Sequence, residues 1–167
     1  MIISVLFILL MFLEPKFSYL YSVAPDGSLS REIKKAMEEI IGYNETVLPQ
    51  TGKNSMMKLR RDDIMLIPKQ NKYIPLNYSN SRLDGRLPNV FLIDEAGALP
   101  NSYAIEAMQS GQLTIKNKLG FVISTKYPTI ENPFEDEVSY AKKVLDGTVE
   151  DETLFALLYE PDNTKEW

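Results

Sequence analysis

The chain has 167 residues, enough for one domain with a core, and its 44% hydrophobic and 25% charged content is ordinary for a globular protein. It contains no cysteine and no histidine, which excludes disulfides, thiolate metal sites and the commonest general base and zinc ligand. The net charge is −5, and residues 131–167 hold 11 of the 23 acidic side chains but only 3 of the 18 basic ones. Any catalysis must therefore depend on carboxylates, hydroxyls, Lys and Arg, or on a metal held by oxygen atoms. The charge distribution neither requires nor excludes nucleic acid as a partner, and solvated surface is the simpler interpretation.

The first 13 residues are almost wholly apolar. This run is shorter than the roughly 20 residues that cross a bilayer. No Lys or Arg precedes it, as a secretory signal requires, and Pro25 stands where a cleavage site would follow Ala24. We therefore expect a buried helix or strand, with neither secretion nor a membrane span.

A strand and an amphipathic helix are predicted next. Residues 17–24 alternate aromatic and small side chains and predict a strand. Residues 28–41 predict a helix, with Ser28 or Ser30 as its cap and Gly42 as its end. The apolar positions of this helix recur at intervals of three and four and are Ile33, Ala36, Met37, Ile40 and Ile41. A strand, turn and helix in this order favour α/β architecture.

Residues 43–80 are less regular. Short candidate strands at 57–59, 64–67 and 73–76 are separated by charged and turn-forming residues. We expect a small antiparallel insertion or an edge hairpin here.

Two continuous apolar runs dominate the second half of the chain. Residues 90–93 and 119–124 predict strands buried on both faces, as in parallel sheets. Helices are expected over 102–110 and over 132–146, the latter ending at Gly147, and a last strand over 154–159. No repeat or long linker divides the chain, so we predict one α/β unit.

Asp94 and Glu95 end the first of these runs. A buried strand of an open α/β sheet brings its carboxyl end to the crevice where ligands bind. An Asp there can hold Mg²⁺ through water, and a Glu beside it can polarise the water that attacks a γ-phosphate. The pattern is that of a Walker B element. The alternative is that both carboxylates cap the following helix.

Two neighbouring features strengthen the nucleotide interpretation. Ser124 and Thr125 end the second buried run, where related ATPases place a polar residue that senses the γ-phosphate. The turn 83–86 places Arg86 just before the acidic strand, where a cation could reach phosphate. Taken singly, the hydroxyls could be caps and the arginine solvated.

A phosphate-binding P-loop, G-x-x-x-x-G-K followed by Ser or Thr, does not occur in the sequence. Gly52-Lys53 is the only Gly-Lys pair, but Val47 occupies the position of the first glycine and Asn54 that of the hydroxyl. It also follows the first strand and helix instead of preceding them. We interpret it as a loop.

Here the sequence resembles the large subunit of tailed-bacteriophage terminases, in order through nearly the whole chain and most strongly over residues 83–162. The blocks that carry the resemblance are Ser22-Val23-Ala24-Pro25-Asp26, Leu83-Asp84-Gly85, Val90-Phe91-Leu92-Ile93-Asp94-Glu95-Ala96, Ile123-Ser124-Thr125 and Phe155-Ala156-Leu157-Leu158-Tyr159-Glu160. It implies a P-loop NTPase-type (RecA-like) fold, a mostly parallel sheet with flanking helices, incomplete at its N-terminus. Residues 1–167 would be a partial ATPase domain without the P-loop, which would lie upstream of residue 1, and without the nuclease domain.

The resemblance also implies roles at the strand ends. Asp94 would coordinate Mg²⁺ through water, and Glu95 would be the catalytic carboxylate. Ser124 and Thr125 would belong to the coupling motif that links hydrolysis to movement.

Relatives often carry an arginine in the middle of the Leu-Asp-Gly turn, and an arginine near it can act in trans on a neighbouring subunit's nucleotide. Here that position is Asp84, so the catalytic arginine would be Arg86 or Arg82, with Arg86 favoured.

The parent protein would use ATP and Mg²⁺ to drive packaging of double-stranded DNA into procapsids, in the host cytoplasm. Its partners would be the terminase small subunit and the portal, around a homo-oligomeric ring. Lys53, Lys58, Arg60 and Arg61 are candidate DNA contacts, although such a cluster is more often a solvated loop. The alternatives are a fragment of another P-loop motor, such as a helicase, or a non-catalytic assembly module. We expect the chain alone to bind ATP weakly and to hydrolyse it negligibly.

Overall fold

A computed structural model describes residues 2–78, 83–128 and 132–159. Its elements, in chain order, are α1 (Ile2–Leu13), β1 (Tyr19–Ala24), α2 (Gly27–Tyr43), β2 (Met57–Leu59), β3 (Ile64–Leu66), β4 (Asn71–Asn77), β5 (Val90–Asp94), a 3₁₀ turn (Ala96–Ala98), α3 (Tyr103–Gly111), β6 (Leu119–Ile123) and α4 (Pro133–Leu145).

The strands form one sheet in the order β2-β3-β4-β1-β5-β6. β4, β1, β5 and β6 run parallel to one another, whereas β2-β3 and β3-β4 are antiparallel pairs. The mostly parallel sheet and its antiparallel edge hairpin are as predicted. β4 joins the two parts, because it pairs with β3 on one side and with the central strand β1 on the other.

Apolar cores cover opposite faces of the sheet. Phe7 of α1 packs with Leu20 and Leu92 on the face that α2 also covers. Phe91 faces the other way and packs with Met108 of α3. Because adjacent strand residues point to opposite faces, the continuous apolar run of β5 supplies both cores. This fixes β5 in the interior, so that its carboxyl end opens between the two helical layers.

The ends of α2 differ from the prediction. Asp26, not Ser28 or Ser30, is the N-cap, and its carboxylate accepts from the backbone N–H groups of Ser28 and Leu29. The helix continues through Gly42 to Tyr43. A carboxylate at the N-cap satisfies two otherwise unpaired N–H groups and interacts favourably with the positive end of the helix dipole.

Two strand predictions also need correction. Residues 154–159 have no regular secondary structure. β6 is a strand, but it lies at the edge of the sheet and none of its residues is buried. The first apolar run is a helix, as one of the two expected alternatives, although Ile2 and Leu13 are 85% and 66% exposed. No helix in the described ranges is long and apolar enough to cross a membrane.

Candidate functional site

Asp94 is the last residue of β5 and is half-buried. Its position in the sheet is set by pairing with Ile123 on β6. Burial, together with the negative charge of the adjacent Glu95, raises the pKa of Asp94. A carboxylate that is costly to ionise in this position is one that a cation would stabilise.

Glu95 follows in the left-handed backbone conformation, with φ 53° and ψ 48°. This conformation is uncommon outside glycine, Asn and Asp, and it turns the chain sharply away from the strand. The Glu95 side chain makes no cap hydrogen bond to the 3₁₀ turn that follows, so the capping alternative is wrong for this residue. Its Oε2 atom is buried and has no hydrogen-bond partner in the described part of the chain.

Ser124 lies beside this turn, as expected for neighbouring parallel strands. Its Oγ accepts a hydrogen bond from the Gly97 backbone N–H at 3.0 Å and donates to the Thr125 carbonyl at 2.9 Å. The Thr125 side chain is exposed. The structure therefore brings Ser124 to the loop that carries Glu95.

Tyr127 also belongs to this site, although no sequence pattern points to it. A Cβ placed on Gly97 would lie 2.7 Å from the Tyr127 ring and 3.0 Å from Ser124 Oγ. Burial, and then the charge and hydrogen bonding of Glu95, raise the pKa of the Tyr127 hydroxyl. The packing of the Tyr127 ring on Gly97 identifies Tyr127 as part of the site, and this packing is visible only in the folded structure.

A magnesium ion fits these donors. The described residues contain no group of three or more carboxylates or other metal-binding side chains. Mg²⁺ does not need one, because it commonly binds one or two carboxylates, phosphate oxygens and water. Asp94, whose pKa is raised, is the group that would hold the ion through water, and the unpaired Oε2 of Glu95 is left for a water molecule.

Arg86 lies apart from the acidic pair. It precedes β5, whereas Asp94 ends the strand, and four strand residues span about 13 Å. The Arg86 guanidinium carbon lies 5.7 Å from the centroid of the Tyr21 ring. Asp84 accepts a hydrogen bond from the Tyr103 hydroxyl at 2.5 Å. Arg82 lies outside the described residues.

The basic residues of segment 53–61 lie at the edge of the sheet opposite to β6. Lys53, Lys58, Arg60 and Arg61 are exposed. Arg60 is 3.5 Å from the Asp63 carboxylate. Lys53 follows Gly52 in a loop between α2 and β2, which agrees with the rejection of this pair as a P-loop.

Comparison with known proteins identifies the family. A family model described as "Terminase large subunit, ATPase domain" matches residues 1–143. The chain belongs to this family. No curated protein gives a match. The match supports the terminase interpretation over the helicase alternative.

Solved structures of similar fold are phage terminases. The large terminase of bacteriophage HK97 has a TM-score of 0.73 at 16% identity, over 86% of this chain and 30% of that one. The ATPase domain of the Thermus phage P74-26 large terminase has a TM-score of 0.57 at 20% identity, over 75% and 54%. The large terminase of a thermophilic bacteriophage has a TM-score of 0.57 at 15% identity, over 86% and 34%. This terminase chain has their P-loop NTPase fold and spans between 30% and 54% of their lengths.

Proposed function

We propose that this chain supplies the magnesium and water side of the ATP site in a large terminase that packages double-stranded DNA into procapsids. The observation that carries the proposal is that Asp94 and Ser124 come at the carboxyl ends of adjacent parallel strands, with Ser124 hydrogen-bonded to the loop that carries Glu95. The solved large terminase of one thermophilic phage holds ADP, and its fold resembles this one with a TM-score of 0.51 at 15% identity, over 71% of this chain and 29% of that one.

The residues divide the chemistry between them. Asp94 would hold Mg²⁺ through water, and the ion would neutralise phosphate charge. Glu95 would orient the attacking water with its free carboxylate oxygen. Ser124, hydrogen-bonded to the loop of Glu95, would respond to the γ-phosphate and, with Thr125, pass the change on to the rest of the motor.

We propose that the phosphate-binding loop comes from outside residues 1–167. The strand that leads into this loop would pair with the open edge of β6. α1 and α2 cover the same face, and α2 leads from β1 to β4 on one side. Strand-helix-strand crossovers are right-handed in about 98% of cases. A strand that led through α1 into β1 would therefore lie on the other side, beyond β5 and beside β6. A P-loop at its carboxyl end would face Ser124.

The remaining roles extend this proposal. Arg86 precedes β5, whereas Asp94 is at the other end of that strand, so the catalytic role we propose for Arg86 is in trans, in a homo-oligomeric ring. The small subunit, the portal and the host cytoplasm follow from the same family function.

DNA contact is proposed for Lys58, Arg60 and Arg61 on the hairpin edge. Strand register places Lys58, Met65 and Lys72 in one row that ends at Tyr19 on β1. Lys72 lies over the Tyr19 ring, 5.7 Å from its centroid. A row of two lysines on an accessible part of the sheet is suited to a phosphate backbone.

The central test measures nucleotide and metal binding separately from turnover. Mg²⁺ with ATP should raise the melting temperature of the chain, and Asp94→Asn should abolish the part that depends on Mg²⁺. Asp136→Asn, on exposed α4, is the control and should behave as the parent chain. Equal stabilisation of the Asp94→Asn variant would refute the assignment. Rapid hydrolysis by the 167-residue chain would refute the proposal that the P-loop comes from outside it.

A further inference from the structure

The loops that follow β5 and β6 contact each other at two places, and the proposed function uses only the Ser124 contact. Gly97 donates its backbone N–H to Ser124 and packs against the Tyr127 ring. Tyr127 is half-buried and interacts through its hydroxyl with the Glu95 carboxylate. The second loop therefore contacts the first at its backbone and at its acidic side chain.

The loop that follows β5 is constrained at Glu95, the residue that Tyr127 contacts. Glu95 is in the left-handed conformation, which is strained for a non-glycine residue and persists only when its surroundings enforce it. No side-chain cap bond holds Glu95 in place. Its Oε2 is buried without a partner in the described residues, so the carboxylate has one oxygen available for a ligand.

We propose that Tyr127 is a positioning residue for Glu95: its hydroxyl fixes the carboxylate so that Oε2 remains free for the attacking water. The inference rests on the proposed function, in which Glu95 is the base. An oriented base is a recurrent requirement of such sites, because a third group usually holds it. The hydrogen bond between Gly97 and Ser124 also couples the two loops, so that a movement of residues 124–127 would displace Tyr127 and turn Glu95.

A purely structural role for Tyr127 makes a different prediction. In that case the ring would only fill space over Gly97, and the hydroxyl would be indifferent to Glu95. The two roles predict different titrations of the Tyr127 hydroxyl, because a hydroxyl in contact with Glu95 has its pKa raised by that carboxylate more than one directed away from it.

The experiment follows tyrosine ring signals by NMR in the full chain labelled with ¹³C at Cζ, without nucleotide. Tyr127→Phe identifies the signal. Glu95→Gln should shift the Tyr127 titration to lower pH, because a neighbouring carboxylate raises the pKa of a phenol. Gly97→Ala should give the same shift, because its Cβ would displace the Tyr127 ring.

Tyr140 is the internal control. Its hydroxyl donates to Asp151 at 2.9 Å, so it is a second tyrosine–carboxylate pair, on α4. The Tyr140 titration should stay unchanged in both variants, which shows that they are folded. An unchanged Tyr127 titration in folded Glu95→Gln would overturn the inference. This readout needs neither ATP nor Mg²⁺, so it fails or succeeds independently of the proposed function.

A second arm addresses the consequence in the ATP-hydrolysing terminase that contains this chain. Tyr127→Phe should lower kcat about tenfold, with KM within about twofold, because one hydrogen bond to a charged group is lost while the ring remains. Tyr140→Phe should leave both constants unchanged. An unchanged kcat in the Tyr127→Phe enzyme would refute the positioning role, even if the contact itself exists.

Discussion

The two edges of the sheet are built differently. At the hairpin edge, Met57 and Ile64 are fully buried and the strands pair antiparallel, so this side is packed by the chain's own residues. At the other edge, β6 exposes Leu119 and Ile123 by 39% and 37%. The chain therefore completes its core on one side and leaves it open on the other.

The open edge of the sheet also carries the candidate site residues. Ser124 continues directly from β6, and Asp94 lies on the adjacent strand. Natural sheets usually protect their edges with charge, proline, bulges or a covering element. Leu119 to Ile123 of β6 contains neither charge nor proline. An unprotected apolar edge of this kind is consistent with the proposal that a further strand pairs with β6.

The largest expected effect is a difference in unfolding free energy between substitutions at the two edges. Met57→Ala should lower the free energy of unfolding by about 2–5 kcal/mol, because it leaves a cavity at a fully buried position. Leu119→Ala, at the open edge, should cost less than about 1 kcal/mol. Urea unfolding of both variants measures the difference. Equal losses would show that β6 is as well packed as the hairpin.

A second prediction tests whether the open edge is loosely packed throughout. A Cβ on Gly120 would lie 2.6 Å from Cζ of the Phe91 ring. Gly120→Ala should therefore cost about 1–3 kcal/mol, despite its place on an exposed strand. Gly42→Ala is the control, since nothing lies within 4 Å of its Cβ and it should stabilise α2 by about 0.5–1 kcal/mol. A neutral Gly120→Ala would mean that β6 can move away from β5.

The third prediction concerns the charge at the open edge. Because the folded pKa of Asp94 is raised, the folded chain holds this proton more tightly, and stability falls as pH rises from 3.8 through the folded value. Asp94→Asn removes this penalty, so its melting temperature at pH 7 should exceed that of the parent chain by about 2 °C. The difference should vanish at pH 3, where both side chains are neutral.

Asp146 is a control, because its pKa is shifted in the opposite direction to that of Asp94. Hydrogen bonds from Thr148 lower the pKa of Asp146, so its ionised form is favoured in the folded chain. Asp146→Asn should lower the melting temperature slightly at pH 7, as seen by calorimetry. A lower melting temperature for Asp94→Asn at pH 7 would contradict the third prediction.

The sequence allowed the central part of this architecture to be predicted, because its signals are local. The apolar run 90–93 is typical of a strand buried on both faces, and Asn132-Pro133 with Gly147 marked both ends of α4. The carboxyl ends of parallel strands meet at one edge, so Asp94 and Ser124 could be expected to lie together. Their proposed roles stay predictions.

What could not be predicted depends on neighbours that the sequence does not reveal. The run 119–124 has the composition of a buried strand whether or not another strand covers it, so the exposure of β6 was missed. Asp26 and Ser28 are both good N-caps, and only backbone geometry decides between them. Tyr127 reaches Glu95 through a loop contact that has no periodic signal.

The smallest expected effect concerns the hairpin edge and its proposed DNA contact. If Lys58 touches phosphate, Lys58→Ala should weaken binding of the chain to duplex DNA about equally for all sequences, and should reduce the dependence of log affinity on log salt by about one. Lys35→Ala is the matched control, because Lys35 is exposed on α2 and outside the row that register places beside Lys58. Fluorescence anisotropy at several salt concentrations measures both slopes. Equal slopes for the two variants would remove the hairpin edge from the DNA surface. They would leave the open edge of β6, with its acidic pair, as the side of the sheet that carries the proposed function.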